Sequence, residues 1–109
     1  MILQKIVGYC SRIAENLARF GNSRSIFQND TLLQDACCMC VIQIGELAGQ
    51  LSEEIKRRSP AVPWRIIKDT RNFYVHAYGA VDIPSVWETL QNDIPALRIA
   101  CEEMLNKNA

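Results

Sequence analysis

The chain holds a single histidine, His76, five positions after Arg71 and two before Tyr78, in the stretch RNFYVHAYG at 71–79. An imidazole with its ordinary pKa of ~6.5 takes or gives a proton near neutral pH. A guanidinium offers a planar fork of N–H donors to a phosphate, where charge grows as a phosphodiester bond breaks. Together they suit RNA cleavage. The imidazole would take the proton of a ribose 2′-OH or give one to the leaving 5′ oxygen, and that chemistry requires no metal. One imidazole cannot easily be base and acid at once; a symmetric dimer would remove the objection by supplying two copies of His76. A lone histidine is also commonly a packed or surface residue with one satisfied hydrogen bond, so its surroundings decide.

Spacing alone leaves the geometry open. Asn72 and His76 are four apart and share a helix face. Arg71 and Tyr78 are seven apart, within ~20° of one another on a helix. Arg71 and His76 are five apart, or ~140°, so a regular helix does not point both at one spot. Arginine has a long reach, and Gly79 predicts that the helix unwinds near His76. Asn72 either orients His76 through a hydrogen bond or caps a turn.

Basic residues gather beside this stretch. Lys56, Arg57, Arg58, Arg65, Lys68 and Arg71 are six of the twelve Lys and Arg residues, and between 56 and 71 the one acidic residue is Asp69. The net charge is zero, but a local patch still attracts phosphate within a screening length of ~10 Å. A helix C-terminus accounts for basic residues at 56–58 through its dipole; it does not account for 65–71. Arg65, Lys68 and Arg58 are therefore candidates for holding RNA phosphates.

The five cysteines offer no metal site. Cys37, Cys38 and Cys40 crowd into CCMC while Cys10 and Cys101 stand apart, with no second pair to complete a zinc set. They read as small core hydrophobes, and neither a metal nor a cofactor is expected.

The elements that must position these groups are helical throughout. Leu3, Ile6, Cys10, Ile13, Leu17 and Phe20 form one apolar stripe, stopped at Gly21-Asn22. Ile26 and Phe27 are expected to pack down in the following loop. Thr31 and Gln34 have capping-box spacing and open a second helix. Its stripe runs through Leu33, Cys37, Cys40, Ile44, Leu47 and Leu51, with Ile55 beyond. Ala36, Val41, Ile42 and Ala48 widen that arc, which predicts more than one neighbour, one of them from a second subunit. Gly45 predicts a close helix crossing. Pro63 suits the first turn of a third helix, spanning about 64 to 76 or 77, which Gly79 stops. The fourth begins around DIPSVW and should kink at Pro95. Trp64 and Trp87 read as core; Phe73 and Tyr74 read as core or interface ahead of base stacking.

The architecture implied is all-α, an antiparallel four-helix bundle in one domain over 1–109. With 49% hydrophobic and 22% charged residues the composition is globular. No apolar run reaches the ~20 residues that span a bilayer, and MILQKIVGYC lacks the features of a signal peptide. A cytoplasmic location, with no membrane partner, is the expectation.

RNFYVHAY has the Arg-x4-His-x-Tyr signature and resembles the HepT-like toxins of the HEPN superfamily. IGELAGQLSEE at 44–54, VPW at 62–64 and VDIPSVWETLQNDIPAL at 81–97 are similar to the family's surrounding helices, so the resemblance spans nearly the whole chain. It implies a bundle that homodimerises, with the motif lining a cleft between subunits. It also implies a metal-independent endoribonuclease acting on tRNA or mRNA, the toxin of a toxin–antitoxin pair. The partner implied is a minimal nucleotidyltransferase of MntA type, which silences the toxin by transferring AMP to the motif tyrosine. Carried over, Arg71 binds the phosphate, His76 is the acid/base and Tyr78 is the AMP acceptor. AMP on Tyr78 would set a bulky anion beside Arg71, where RNA phosphate should go. Ala77 stands where many relatives have glycine. Glu46 serves either helix packing or a salt bridge to a basic residue. A different class of function on the same fold is a non-catalytic subunit that binds or regulates a nucleotidyltransferase, and a third is a purely structural dimeric bundle.

Overall fold

A computed structural model describes residues 1–107, apart from the side chain of Tyr78. The elements are α1 (Ile2–Arg19), α2 (Arg24–Asn29), α3 (Thr31–Gly49), α4 (Glu53–Arg57), α5 (Trp64–His76), α6 (Ile83–Glu88) and α7 (Ile94–Lys107). A 3₁₀ turn at Tyr78–Ala80 follows α5, and a π turn at Thr89–Asp93 joins α6 to α7. No strand occurs among the described residues, and the all-α expectation holds.

The first stripe is buried as its spacing predicts: Leu3, Ile6, Cys10, Ile13 and Leu17 all face the core. Phe20 is the exception, 40% exposed beyond the last turn. The chain turns sharply there because Gly21 and Asn22 both take positive φ, at 72° and 51°, the region these two residue types tolerate best. In α2 only Phe27 packs down, tilted against Trp87 with ring centroids 5.4 Å apart; Ile26 stays 43% exposed, contrary to the expectation for it.

The start of α3 corrects the capping assignment by one residue. The cap is Asp30, whose Oδ1 accepts from the backbone N–H of Leu33 at 2.9 Å. A carboxylate there also meets the positive end of the helix dipole. Gln34 turns inward, and its amide donates to the carbonyl of Phe27 at 2.8 Å. At its far end α3 stops at Gly49, and Ser52 caps the separate helix α4 by accepting from the N–H of Ile55. Ile55 therefore does not prolong the α3 stripe.

Helix α3 is the shared element of the bundle, packed against α1 and against α5, while α1 also packs against α7. Its 19 residues are long and apolar enough to cross a membrane by length and composition alone, but half of that span is buried inside the bundle, as in a core helix, and Gln34, Asp35, Gln43 and Glu46 interrupt it. All five cysteines are buried, and none of them forms a disulfide among the described residues. Burial pushes the thiols of Cys10 and Cys37 up to about 12 and that of Cys101 to about 11.

Pro95 shapes the fourth helix from a distance. A helical proline lacks an N–H and its ring collides with the carbonyl four residues earlier, here Gln91. The backbone responds by widening to a π turn over Thr89–Asp93. Trp87 is core at 8% exposure. Trp64 is half-buried, and its indole N–H points at the carbonyls of Lys56 and Ser59, 3.2 and 3.3 Å away, tying the α4–α5 linker to α5.

Candidate active site on helix α5

Helix α5 starts after Pro63 and ends at His76, where the N–H of Ala77 closes the last turn on the carbonyl of Phe73 at 2.8 Å. Its inner face carries Tyr74, 5% exposed, and Ile67, packed against the core. Burial pushes the Tyr74 phenol up to about 12, so it stays neutral at any physiological pH. Of the two neighbouring aromatics, Tyr74 is core while Phe73 is 50% exposed.

Arg71 lies on the flank of α5 that crosses α3, and the crossing is made at Gly45. A Cβ placed on Gly45 would sit 2.6 Å from Arg71 Cγ, closer still to Arg71 Cβ, and 3.5 Å from the carbonyl of Ile67. The missing side chain is thus the space that the stem of Arg71 occupies. The next residue of α3, Glu46, pairs through Oε1 with Nη2 of Arg71. On the other side Nη1 donates to Oδ1 of Asn72. Nε is buried and meets no hydrogen-bond partner among the described residues. The side chain of Arg71 keeps 26% of its surface exposed.

The structure thus brings Arg71, Asn72 and Glu46 together. The salt bridge weighed for Glu46 forms, and its basic partner is the candidate phosphate-binding arginine. The side-chain oxygen of Asn72 meets Arg71, a partner not weighed from the sequence. His76 is exposed on the last turn of α5, five residues and ~140° around the helix from Arg71. On a regular helix the two groups of one chain point in different directions.

Arg65, Lys68, Asn72 and His76 follow one another at intervals of three, four and four, which places them on one face of α5 over ~16 Å. Arg65, Lys68 and His76 on that face are exposed. Arg58 is exposed at the end of α4 and already has an interaction partner. Lys56, on the same short helix, leans toward Glu53 at 3.8 Å. The backbone of Tyr78 forms the 3₁₀ turn directly after the helix; its side chain lies outside what is described. No group of three or more His, Cys, Asp or Glu side chains able to hold a metal occurs among the described residues.

The contact of Gly45 and Glu46 with Arg71 is the part of the site that sequence reasoning missed. Its available signal was the adjacency of a helix-interior glycine and a carboxylate in the second half of α3.

The family model for ribonuclease HepT-like proteins matches residues 4–104. A protein of Thermococcus cleftensis named "Probable ribonuclease HepT" is 34% identical over 86 residues, which are 75% of this chain and 78% of that protein. "Putative RNase TTE0752" of Caldanaerobacter subterraneus subsp. tengcongensis is 30% identical over 105 residues, 96% of this chain and 92% of its own length. "Putative RNase MJ0125" of Methanocaldococcus jannaschii is 28% identical over 79 residues, covering 72% of this chain and 68% of that protein. No solved structure matches the chain.

Proposed function

The chain belongs to the HepT-like ribonuclease family, and on that premise we propose that it is a metal-independent cytoplasmic endoribonuclease whose active site forms between two copies of α5. The observation that carries this reading is the exposed imidazole of His76 at the end of a cationic face, with Arg71 held on the flank of the same helix. Because the two groups diverge on one helix, a second protomer facing the first supplies the complementary pair. RNA would lie along the face bearing Arg65 and Lys68, its backbone charge neutralised there, with Arg58 as a more distant contact.

In this scheme one His76 takes the proton of the 2′-OH as that oxygen attacks phosphorus. The P–O5′ bond breaks, and the protonated His76 of the second protomer gives its proton to the departing 5′ oxygen. The products are a 2′,3′-cyclic phosphate and a 5′-hydroxyl. Arg71 meets the equatorial phosphate oxygens as their charge grows. Asn72 supports Arg71.

The protein would act as the toxin of a toxin–antitoxin pair, and its partner would be a minimal nucleotidyltransferase that transfers AMP from ATP to the Tyr78 hydroxyl and releases pyrophosphate. Expression without that partner should arrest growth, and His76→Ala should relieve the arrest in a protein that remains folded and dimeric. Arrest that persists in the mutant would remove His76 from the mechanism. The neighbouring gene should encode a small nucleotidyltransferase, and mass spectrometry of the chain co-expressed with it should find AMP on Tyr78. An unmodified tyrosine in a silenced toxin would refute the adenylylation step.

A further inference from the structure

Arg71 has five N–H donors, and the structure accounts for three. The Nε–H is buried, with no acceptor among the described residues. One hydrogen of Nη2 faces the carboxylate of Glu46, and one of Nη1 faces the side-chain oxygen of Asn72. Among the described residues nothing is shown to take the second N–H of either terminal nitrogen, and the side chain keeps 26% of its surface exposed. Two N–H groups on adjacent nitrogens are what a phosphate takes in a bidentate contact. The plane of that fork is set from α3, by the open space at Gly45 that admits the stem and by the carboxylate of the next residue that fixes the tip.

We infer that Glu46 is a positioning residue for Arg71: its carboxylate fixes the rotation of the guanidinium so that the two free N–H groups face the scissile phosphate. This inference rests on the ribonuclease reading. Without Glu46 the guanidinium still carries its charge, yet it is free to rotate about its stem and to seek water or another anion. Charge would continue to attract RNA, while the alignment gained in the transition state would be lost. A loss in kcat with little change in KM is the mark of that situation. A misplacement of ~1 Å in such a group costs up to ~100-fold.

The test measures kcat and KM on a fluorophore–quencher RNA oligonucleotide, together with thermal midpoints, for wild type, Glu46→Gln, Glu46→Ala, Arg71→Ala and the double variant Glu46→Ala/Arg71→Ala. Glu46→Ala should lose about 10- to 100-fold in kcat with KM within about two-fold. Glu46→Gln, which can still accept one N–H in nearly the same shape, should fall between it and wild type. In the Arg71→Ala background the Glu46→Ala change should cost nothing further, because the group it positions is gone. Three results overturn the inference: unchanged kcat in folded Glu46→Ala or Glu46→Gln; a fall in KM with a rise in rate, which would make Glu46 a competitor of the RNA; or full additivity with Arg71→Ala. Should Glu46→Ala not fold, the isosteric Glu46→Gln decides by the same kcat and KM comparison. If wild type and His76→Ala alike leave the RNA intact, the ribonuclease reading fails and takes the inference with it. An active wild type, inactive His76→Ala and fully active Glu46→Ala would sink the inference alone.

Discussion

Replacing Gly45 with alanine tests the α3–α5 crossing on which the site depends. The new methyl would lie 2.6 Å from Arg71 Cγ and nearer to its Cβ, inside the ~3.5–4.0 Å separation of unstrained carbon contacts. Either the helices part by about 1 Å or the stem of Arg71 moves. Overpacking of this kind costs roughly 1–3 kcal/mol, while alanine in a helix interior returns about 1 kcal/mol relative to glycine. The net loss should be about 0–2 kcal/mol. At roughly 4 °C per kcal/mol for a domain near 100 residues, the midpoint would fall by up to ~8 °C. The internal control is Gly8→Ala, in the exposed interior of α1, where nothing lies within 4 Å of an added Cβ. That variant keeps the propensity gain with no clash and should be stabilised by about 1 kcal/mol. Calorimetry on the pair isolates the crossing, and RNA cleavage should drop ~10- to 100-fold in Gly45→Ala only. A Gly45→Ala protein as stable and as active as Gly8→Ala would refute the reasoning.

Other outcomes follow from the same structure. Asp30→Ala removes the acceptor for the Leu33 N–H and should cost about 1 kcal/mol in urea unfolding; no change would return the cap to Thr31. The buried thiols of Cys10 and Cys37, pushed up from 9.0 to about 12, hold their protons in the folded protein after the unfolded chain has lost them. The folded state then binds more protons, so the contribution of these thiols is constant well below pH 9 and is lost as pH rises toward 12; a urea midpoint that holds steady from pH 8 to 10.5 would contradict this. Lys68→Ala and Arg65→Ala should each weaken RNA binding and lower the slope of log affinity against log salt by ~0.7, as removal of one phosphate contact does on single strands. An unaltered slope would take that residue off the RNA path.

Much of the bundle is legible because it is written in local periods. The α1 stripe and the α5 limits follow from apolar spacing and from Pro63 and Gly79. The differences arise where two adjacent residues could do one job or where the response to a residue appears elsewhere. Asp30 and Thr31 both have capping chemistry, and only the backbone decides between them. Ser52 begins a new helix that the continuing apolar pattern through Ile55 conceals. Pro95 announces a distortion, but the carbonyl that must move belongs to Gln91, so the π turn lies upstream. The motif residues Arg71, His76 and Tyr78 stand out by type and spacing within one helix and its end. The contact of Glu46 with Arg71 depends on the register of α5 against α3, a tertiary quantity without a local period. Gly45 marked that crossing without naming what crosses it.

The cut ends report the chemistry of His76 most directly. Purified wild-type protein incubated with total RNA in EDTA should leave 2′,3′-cyclic phosphates and 5′-hydroxyls at discrete positions, and His76→Ala of unchanged fold should leave that RNA whole. Ends bearing 3′-hydroxyls, or identical cleavage by the mutant, would contradict that chemistry.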